Sequence, residues 1–141
     1  PLLIRDLANI GFKVLILGKI RHENLDFSSN ANVVNLTGKT SVKDCLYLVS
    51  RSAVVLSNDS FGAHLAMGYG KPLILFLCST GDQHGFFQSE LVVKFHPVQL
   101  TCWPCSIGGR ALCPVSRCEC IDYEYDLTKI VEFIKHFANK R

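Results

Sequence analysis

The sequence predicts a single α/β domain in which helices cover both faces of a parallel sheet. Short apolar runs alternate with segments whose apolar residues recur every three or four positions, and glycine or proline marks most of the transitions. Strands and helices in alternation require right-handed crossovers, which produce a doubly wound parallel sheet. The 141 residues, 48% of them hydrophobic, are enough for one such domain with its own core.

Five strands are predicted at the continuous apolar runs, because strands covered on both faces lack a polar side. They occupy residues 13–17, 33–36, 53–56, 73–77 and 91–95. The first helix covers residues 2–10 and ends at Gly11, and Thr40 or Ser41 caps the second. The third begins at residues 58–60 and ends before Gly70, and the last begins near Asp126.

Charge and hydropathy exclude two classes of protein. The net charge is only +3, and the basic residues are scattered, whereas nucleic-acid-binding proteins concentrate them on one face. The apolar runs are of strand length, too short to cross a bilayer as a helix. The chain starts at Pro1 inside a helical pattern and lacks a secretory signal, so we expect a fragment of a longer protein.

Seven cysteines are present, and five of them fall between Cys102 and Cys120. An odd total argues against a fully paired disulfide scaffold and favours a cytoplasmic protein. Four of the five could bind a structural zinc ion, namely Cys102, Cys105, Cys113 and either Cys118 or Cys120. Because the spacing after the CxxC pair is irregular, free or locally paired cysteines are favoured and no metal site is assigned. Cys45 and Cys78 are interpreted as buried small apolar residues.

The segment Ser57-Asn-Asp-Ser-Phe-Gly-Ala-His64 is the candidate binding site, because it leads from a strand into a helix. In parallel α/β sheets, ligands bind beyond the carboxyl ends of the strands. The free amides of a first helical turn favour a phosphate group, Ser60 adds a hydroxyl, and Gly62 permits close approach of the backbone. His64 follows Ser60 by one helical turn and can face the same ligand. The alternative is that Asp59 and Ser60 are ordinary helix caps and His64 is a packed residue.

Three blocks of the sequence, residues 34–42, 54–66 and 70–76, resemble the carboxyl-terminal half of glycosyltransferase family 9. That family includes the heptosyltransferases that build the inner core of lipopolysaccharide. The order and spacing of the blocks match, and many members also carry a CxxC pair followed by further cysteines, as at Cys102 and Cys105. The block that contains Asn58-Asp59-Ser60 and His64 is the most specific of the three.

The resemblance implies one Rossmann-like half of a GT-B glycosyltransferase, the half that binds the nucleotide-sugar donor. It implies that Asp59, Ser60 and the next backbone amides, those of Phe61 and Gly62, hold the donor diphosphate, together with His64. It also implies that Glu23 binds the donor ribose. The family's catalytic base is an acidic residue in the amino-terminal half, so no catalytic residue is assigned in this chain, and the isolated fragment is expected to be inactive.

Two departures from the family pattern bear on donor binding. The family usually has glycine directly after the Asp-Ser pair, where this chain has Phe61, and it has a Phe-Gly-x-Thr segment where this chain has Phe76-Leu-Cys-Ser-Thr80. These changes favour the second hypothesis, a degenerate and non-catalytic nucleotide-binding or interaction domain. A third hypothesis is an interaction domain stabilised by zinc at residues 102–120.

The resemblance also implies the reaction and its location. The chain is expected to take part in transferring a sugar, a heptose from an ADP-sugar, to a lipopolysaccharide-type acceptor bound by the missing domain. The reaction requires no cofactor. The protein is expected in the cytoplasm, peripheral to the inner membrane, without a nucleic-acid partner or a transmembrane segment.

Overall fold

A computed structural model describes residues 2–19, 27, 29–81, 89–97, 100–107, 112–115, 119–120 and 125–139. The chain divides into two compact units, Pro1–Leu48 and Val49–Arg141. The organisation as a single domain therefore stays a prediction. In the described part of the chain, no helix has the length and apolar character needed to span a membrane.

The first unit pairs two short strands and carries the first helix. Helix α1 is Leu2–Asn9, and strands β1, Val14–Ile16, and β2, Val33–Asn35, pair in parallel. Leu7 and Ala8 are the buried residues of α1. The helix ends as predicted at Gly11, whose φ of +106° is a left-handed conformation that residues with a side chain rarely adopt.

Helix α2, Val42–Arg51, crosses the division between the units and begins with a reciprocal cap. Of the two candidate caps, the structure selects Ser41, whose hydroxyl accepts a hydrogen bond from the Asp44 amide at 3.2 Å. The Asp44 carboxylate in turn accepts from the Ser41 amide at 2.8 Å and from its hydroxyl at 2.6 Å. Both hydrogen bonds that Ser41 donates lower the pKa of Asp44 below its usual value, and the bond from the hydroxyl has the larger effect.

The second unit contains a parallel sheet of three strands. Strands β3, Val55–Asn58, β4, Leu73–Phe76, and β5, Val92–Phe95, lie in the order β3-β4-β5. The central strand explains the continuous apolar run in the sequence, because its first three residues are completely buried. Strand β3 begins two residues later than predicted, since its pairing starts where the Val55 amide donates to the Pro72 carbonyl at 2.8 Å.

Helix α3, Phe61–Gly68, connects β3 to β4 and packs on the sheet through small residues. Ala63 and Ala66 are completely buried in a cluster with three leucines of β4 and its extension, Leu73, Leu75 and Leu77. The helix ends at the predicted glycine: the Gly70 amide donates to Met67 and the Lys71 amide to Ala66. This pair of bonds is a Schellman motif, in which Gly70 has a φ of +60°.

Helix α4, Leu127–Ala138, follows the cysteine-rich segment and begins as predicted at Asp126. The Asp126 carboxylate accepts a hydrogen bond from the Lys129 amide at 3.1 Å, which is the geometry of an N-cap. Ile130 and Ile134, one turn apart, are its buried residues. The apolar stripe in the sequence therefore identifies the face that packs inward.

The parallel pairing is confirmed, and among the described elements strands and helices alternate from β2 to β4. The fold is a mixed α/β arrangement compatible with a Rossmann-like glycosyltransferase domain. Within the described residues, the strands form one sheet of two strands and one of three. A single doubly wound sheet, and its place as half of a GT-B enzyme, stay predictions.

Candidate functional site

The candidate site lies where β3 ends and α3 begins, as the sequence predicts. Asn58 is the last residue of β3, Ser60 is the N-cap of α3, and Asp59 stands between them. The carboxyl ends of the three parallel strands lie at the same edge of the sheet, which is the edge where α/β proteins bind ligands. The turn is thus in the position that a binding loop requires.

The first turn of α3 has no side-chain cap. The Ser60 hydroxyl makes no capping hydrogen bond and instead lies 3.0 Å from the Ser57 hydroxyl, which donates to the Asn58 carbonyl at 2.8 Å. The first helical bonds run from the amides of Ala63 and His64 to the Ser60 carbonyl. The amides of Phe61 and Gly62 come before these two and have no carbonyl partner within the helix. Such amides donate hydrogen bonds to a ligand or to water. Ser60 thus occupies the N-cap position, but its side chain does not make the hydrogen bond of an ordinary cap.

Glycine at position 62 is favoured by the packing of the turn rather than by its backbone angles. A Cβ atom at this position would lie 3.2 Å from Ser57 Oγ, closer than nine in ten real Cβ contacts. Because Ser57 Oγ is held by two polar neighbours, it cannot move aside freely. The absence of a side chain also keeps the backbone accessible at the N-terminus of α3.

Phe61 does not fill the turn, although it replaces the glycine usual in the family pattern. Its side chain is 54% exposed, so the ring points outward from the buried face that Ala63 and Ala66 form. The ring therefore does not cover the backbone amides at the N-terminus of α3. An exposed ring of this size beside polar groups is also suited to contact a ligand or a partner.

His64 and Asp59 are neighbours across the turn. His64 Nε2 lies 3.9 Å from Asp59 Oδ1, and the exposed fractions of the two side chains are 56% and 18%. The carboxylate is the more enclosed of the two, and the imidazole extends toward solvent. The imidazole can therefore reach a ligand from the solvent side while it stays beside the carboxylate.

The structure thus brings together Asp59, Ser60, Phe61, Gly62 and His64 at one helix mouth, and their role in donor binding stays a prediction. Glu23 lies outside the described residues. Ser57, whose hydroxyl contacts Ser60 and faces Gly62, is a further residue of the turn that was not predicted as part of the site. The available signal was its position at the end of a strand directly before the Asn-Asp-Ser turn.

A second feature lies beyond the carboxyl end of β4. A largely apolar depression there is lined by five cysteines, with Trp103 among the other residues. The five are Cys78, Cys102, Cys105, Cys113 and Cys120, and none is in a disulfide. Cys45 and Cys78 are each half-buried, so the prediction that they are buried small apolar residues is only partly correct.

Two of the thiols around this depression have raised pKa values. The pKa of Cys120 is raised mainly by burial and, to a lesser extent, by the charges of the nearby Cys78, Cys105 and Cys113. The pKa of Cys78 is raised by burial. Both groups are therefore thiols rather than reactive thiolates at neutral pH. Within the described residues, no three side chains of the metal-binding types are already arranged to hold an ion. Cys118 lies outside the described residues.

Comparison with known proteins gives one match and identifies the family. The model of glycosyltransferase family 9 (heptosyltransferase) matches residues 3–91, which run from α1 to the residue before β5 and include the turn at Asp59. The matched range does not include the cysteine-rich segment. No curated protein and no solved structure matches the chain. Since the family model covers more than half of the sequence, the chain belongs to glycosyltransferase family 9.

Proposed function

We propose that the chain is the donor-binding half of a glycosyltransferase and that the turn between β3 and α3 binds the diphosphate of a nucleotide sugar. The amides of Phe61 and Gly62 would donate hydrogen bonds to the phosphate oxygens, and the Ser60 hydroxyl would join them by exchanging its contact with Ser57 for one with the ligand. A helix N-terminus adds partial positive charge at the same place. Membership of the family supports the class of reaction, and the turn supports the class of ligand.

The uncapped N-terminus of α3 carries the proposal. Asn, Asp and Ser before a helix usually turn their own side chains back onto the first amides. Here the Ser60 hydroxyl is paired with Ser57 instead. The N-terminus of α3 therefore keeps its amide donors for an external acceptor, and the charged oxygens of a diphosphate accept stronger hydrogen bonds than neutral oxygens do.

His64 has the second role in the proposed site. Its side chain is the more exposed partner of the pair with Asp59, so a phosphate can approach the imidazole from the solvent side. A carboxylate in direct contact with a diphosphate would repel it, and Asp59 is therefore assigned to holding the imidazole.

The finer assignment follows from the family and completes the proposal. The donor would be an ADP-sugar that carries a heptose, and the acceptor would be a lipopolysaccharide-type glycan bound by an amino-terminal half. That half would also supply the general base, since transfer requires the base, acceptor and anomeric carbon to be held together. The reaction would take place in the cytoplasm, at the inner face of the membrane, without a cofactor.

Calorimetric titration of the purified protein with adenosine, AMP, ADP and ADP-heptose tests the donor site. We expect ADP and ADP-heptose to bind and adenosine to bind much more weakly, because the proposed contacts are to the phosphates. UDP and GDP, titrated in parallel, report whether the nucleotide base is selected. Equal affinity for adenosine and ADP would contradict a diphosphate site.

Substitutions at the turn locate the binding. His64→Ala removes a hydrogen bond to a charged group, commonly worth about 1.5–3 kcal/mol, so we expect a roughly ten- to hundredfold loss of ADP affinity. His136→Ala, at an exposed histidine in the last turn of α4, is the matched control and should leave affinity unchanged. Asp59→Ala should weaken binding less than His64→Ala, since it acts through the imidazole.

Two results would overturn the proposal. A folded protein that binds none of the nucleotides would favour the alternative of a non-catalytic interaction domain, for which the exposed ring of Phe61 is the supporting observation. Binding of ADP that is unaffected by both His64→Ala and Asp59→Ala would place the donor site elsewhere in the protein.

A further inference from the structure

Phe61 is the first residue of α3 and the most exposed apolar side chain of that helix. The face of α3 that packs on the sheet is formed by Ala63 and Ala66, which are both completely buried. With 3.6 residues in each turn, Phe61 lies about 200° around the helix axis from Ala63, almost on the opposite side. Its ring therefore does not belong to the face that holds α3 in place.

The position of Phe61 in the first turn directs its ring toward the open end of the helix. Side chains on a helix lean toward its N-terminus and cover the turn that precedes them. No helical turn precedes Phe61, so its ring extends beside the amides of Phe61 and Gly62, which have no carbonyl partner within the helix. A ligand bound by these amides would therefore have the ring at its side.

His64 is the other exposed side chain at this end of α3. It follows Phe61 by three residues, so the two side chains are neighbours on the helix surface, and it is 56% exposed. The imidazole suits a phosphate, whereas the negative face of a phenyl ring repels one. The ring of Phe61 is therefore matched to a different part of a ligand from the part that the amides and His64 would bind.

The sugar of a nucleotide-sugar donor is the part that the ring can reach. This sugar is joined to the diphosphate through one oxygen atom, whereas the whole ribose separates the base from the phosphates. Phe61 is also the residue whose own amide would bind a phosphate, so its short side chain reaches the nearest ring first. A sugar ring carries C–H groups on its faces, and their slightly positive hydrogens suit the negative face of an aromatic ring.

We propose that Phe61 stacks on the C–H face of the donor sugar and so determines the preference of the site for a nucleotide sugar over a free nucleoside diphosphate. This inference rests on the diphosphate site proposed above. The contact would remove apolar surface of both rings from water. The nucleoside diphosphate left after transfer has no sugar to stack on Phe61, so the product would be held less tightly than the donor.

Calorimetric titration with ADP and ADP-heptose tests the proposal in the unsubstituted protein and in Phe61→Ala. We expect the unsubstituted protein to bind ADP-heptose more tightly than ADP. Phe61→Ala should lower the affinity for ADP-heptose about five- to tenfold, the range typical of a contact between an aromatic ring and its partner. It should leave the affinity for ADP nearly unchanged, because the amide at this position is kept.

Three further variants separate the ring from other effects of the substitution. Phe61→Tyr keeps a flat ring and should retain the preference for ADP-heptose, whereas Phe61→Leu keeps apolar bulk without an aromatic face and should lose most of it. Tyr69→Ala is the matched control, since Tyr69 is an exposed aromatic residue at the other end of the same helix, and it should change neither affinity. Circular dichroism establishes that each variant is folded.

Proton NMR of the bound sugar gives a readout that does not depend on affinity. Hydrogens that lie over the face of an aromatic ring resonate upfield of their usual positions. We expect this shift for C–H hydrogens of the heptose in complex with the unsubstituted protein and with Phe61→Tyr. It should disappear with Phe61→Leu at a concentration that saturates the site.

Three results would overturn the role of Phe61. The first is an equal loss of affinity for ADP and ADP-heptose in Phe61→Ala, which would place the ring on the nucleotide. The second is a gain of affinity for either ligand, which would make the ring an obstruction. The third is an unchanged pair of affinities without an upfield shift. In each case ADP still binds and the diphosphate site stands, whereas a folded protein that binds neither ligand overturns that site and this inference with it.

Discussion

The hydroxyl oxygens of Ser57 and Ser60 lie 3.0 Å apart and connect strand β3 to the N-cap residue of helix α3. This pair of hydroxyls occupies the place where a capping hydrogen bond would otherwise form. It also places Ser57 Oγ against the backbone of Gly62. The shape of the helix mouth therefore depends on two small polar side chains and one glycine.

Gly62→Ala should be energetically coupled to Ser57→Ala. In a helix alanine is favoured over glycine by up to about 1 kcal/mol, but here its Cβ would lie 3.2 Å from Ser57 Oγ. With Ser57→Ala the nearest remaining atom is Cβ of residue 57 at 3.9 Å, an ordinary contact. We expect a coupling of about 0.5–3 kcal/mol in a double-mutant cycle measured by denaturant unfolding. Additive effects would contradict the contact.

The reciprocal cap at α2 should make stability depend on pH through Asp44. Its pKa is lower in the folded protein, so its contribution is present above the ordinary pKa of about 4 and is lost as pH falls through the folded value. Asp44→Asn should be less stable than the unsubstituted protein at pH 7, and the difference should shrink below about pH 4. A difference that persists at pH 2, measured by urea unfolding, would argue against this origin.

The cap of α4 should depend on the side chain of Asp126. Asp126→Ala removes the acceptor of the Lys129 amide and should lower the free energy of unfolding by about 1 kcal/mol. Asp126→Asn keeps an oxygen acceptor and should recover most of the loss. Thermal or urea unfolding followed by circular dichroism distinguishes the two variants, and equal losses for both would indicate an effect of charge alone.

The buried face of α4 should contribute far more than its exposed face. Ile130 is completely buried, and Ile130→Ala should cost about 2–5 kcal/mol through lost burial and the cavity left behind. Thr128→Ala, at an exposed position on the same helix, should change stability by less than about 0.5 kcal/mol. Similar losses for the two variants would mean that α4 does not pack through Ile130.

Most of the fold follows from local patterns in the sequence. Gly11 and Gly70 end helices as predicted because only glycine adopts their backbone angles at low cost, and Asp126 begins one through a local hydrogen bond. The start of β3 could not be predicted as well. Its first pairing is set by the Pro72 carbonyl, which is distant in sequence and invisible to a local pattern.

The candidate site was predictable in place but not in detail. The Asn-Asp-Ser turn identifies the helix mouth, yet a local pattern cannot tell whether Ser60 bonds to its own helix or to Ser57. Likewise, the sequence cannot show that Cys78 joins the later cysteines, because that proximity arises only when the segment after β5 returns to β4. Both limits concern contacts made by tertiary packing.

The single tryptophan gives the protein an optical probe of its own. The indole of Trp103 stacks on the imidazole of His96 with ring centroids 4.5 Å apart, and it also lines the depression formed by the cysteines. Its fluorescence is therefore sensitive to two neighbours, the stacked imidazole and the sulfur atoms of the cysteines. Emission recorded during titration with a metal ion would follow events at this one place without labels or substitutions.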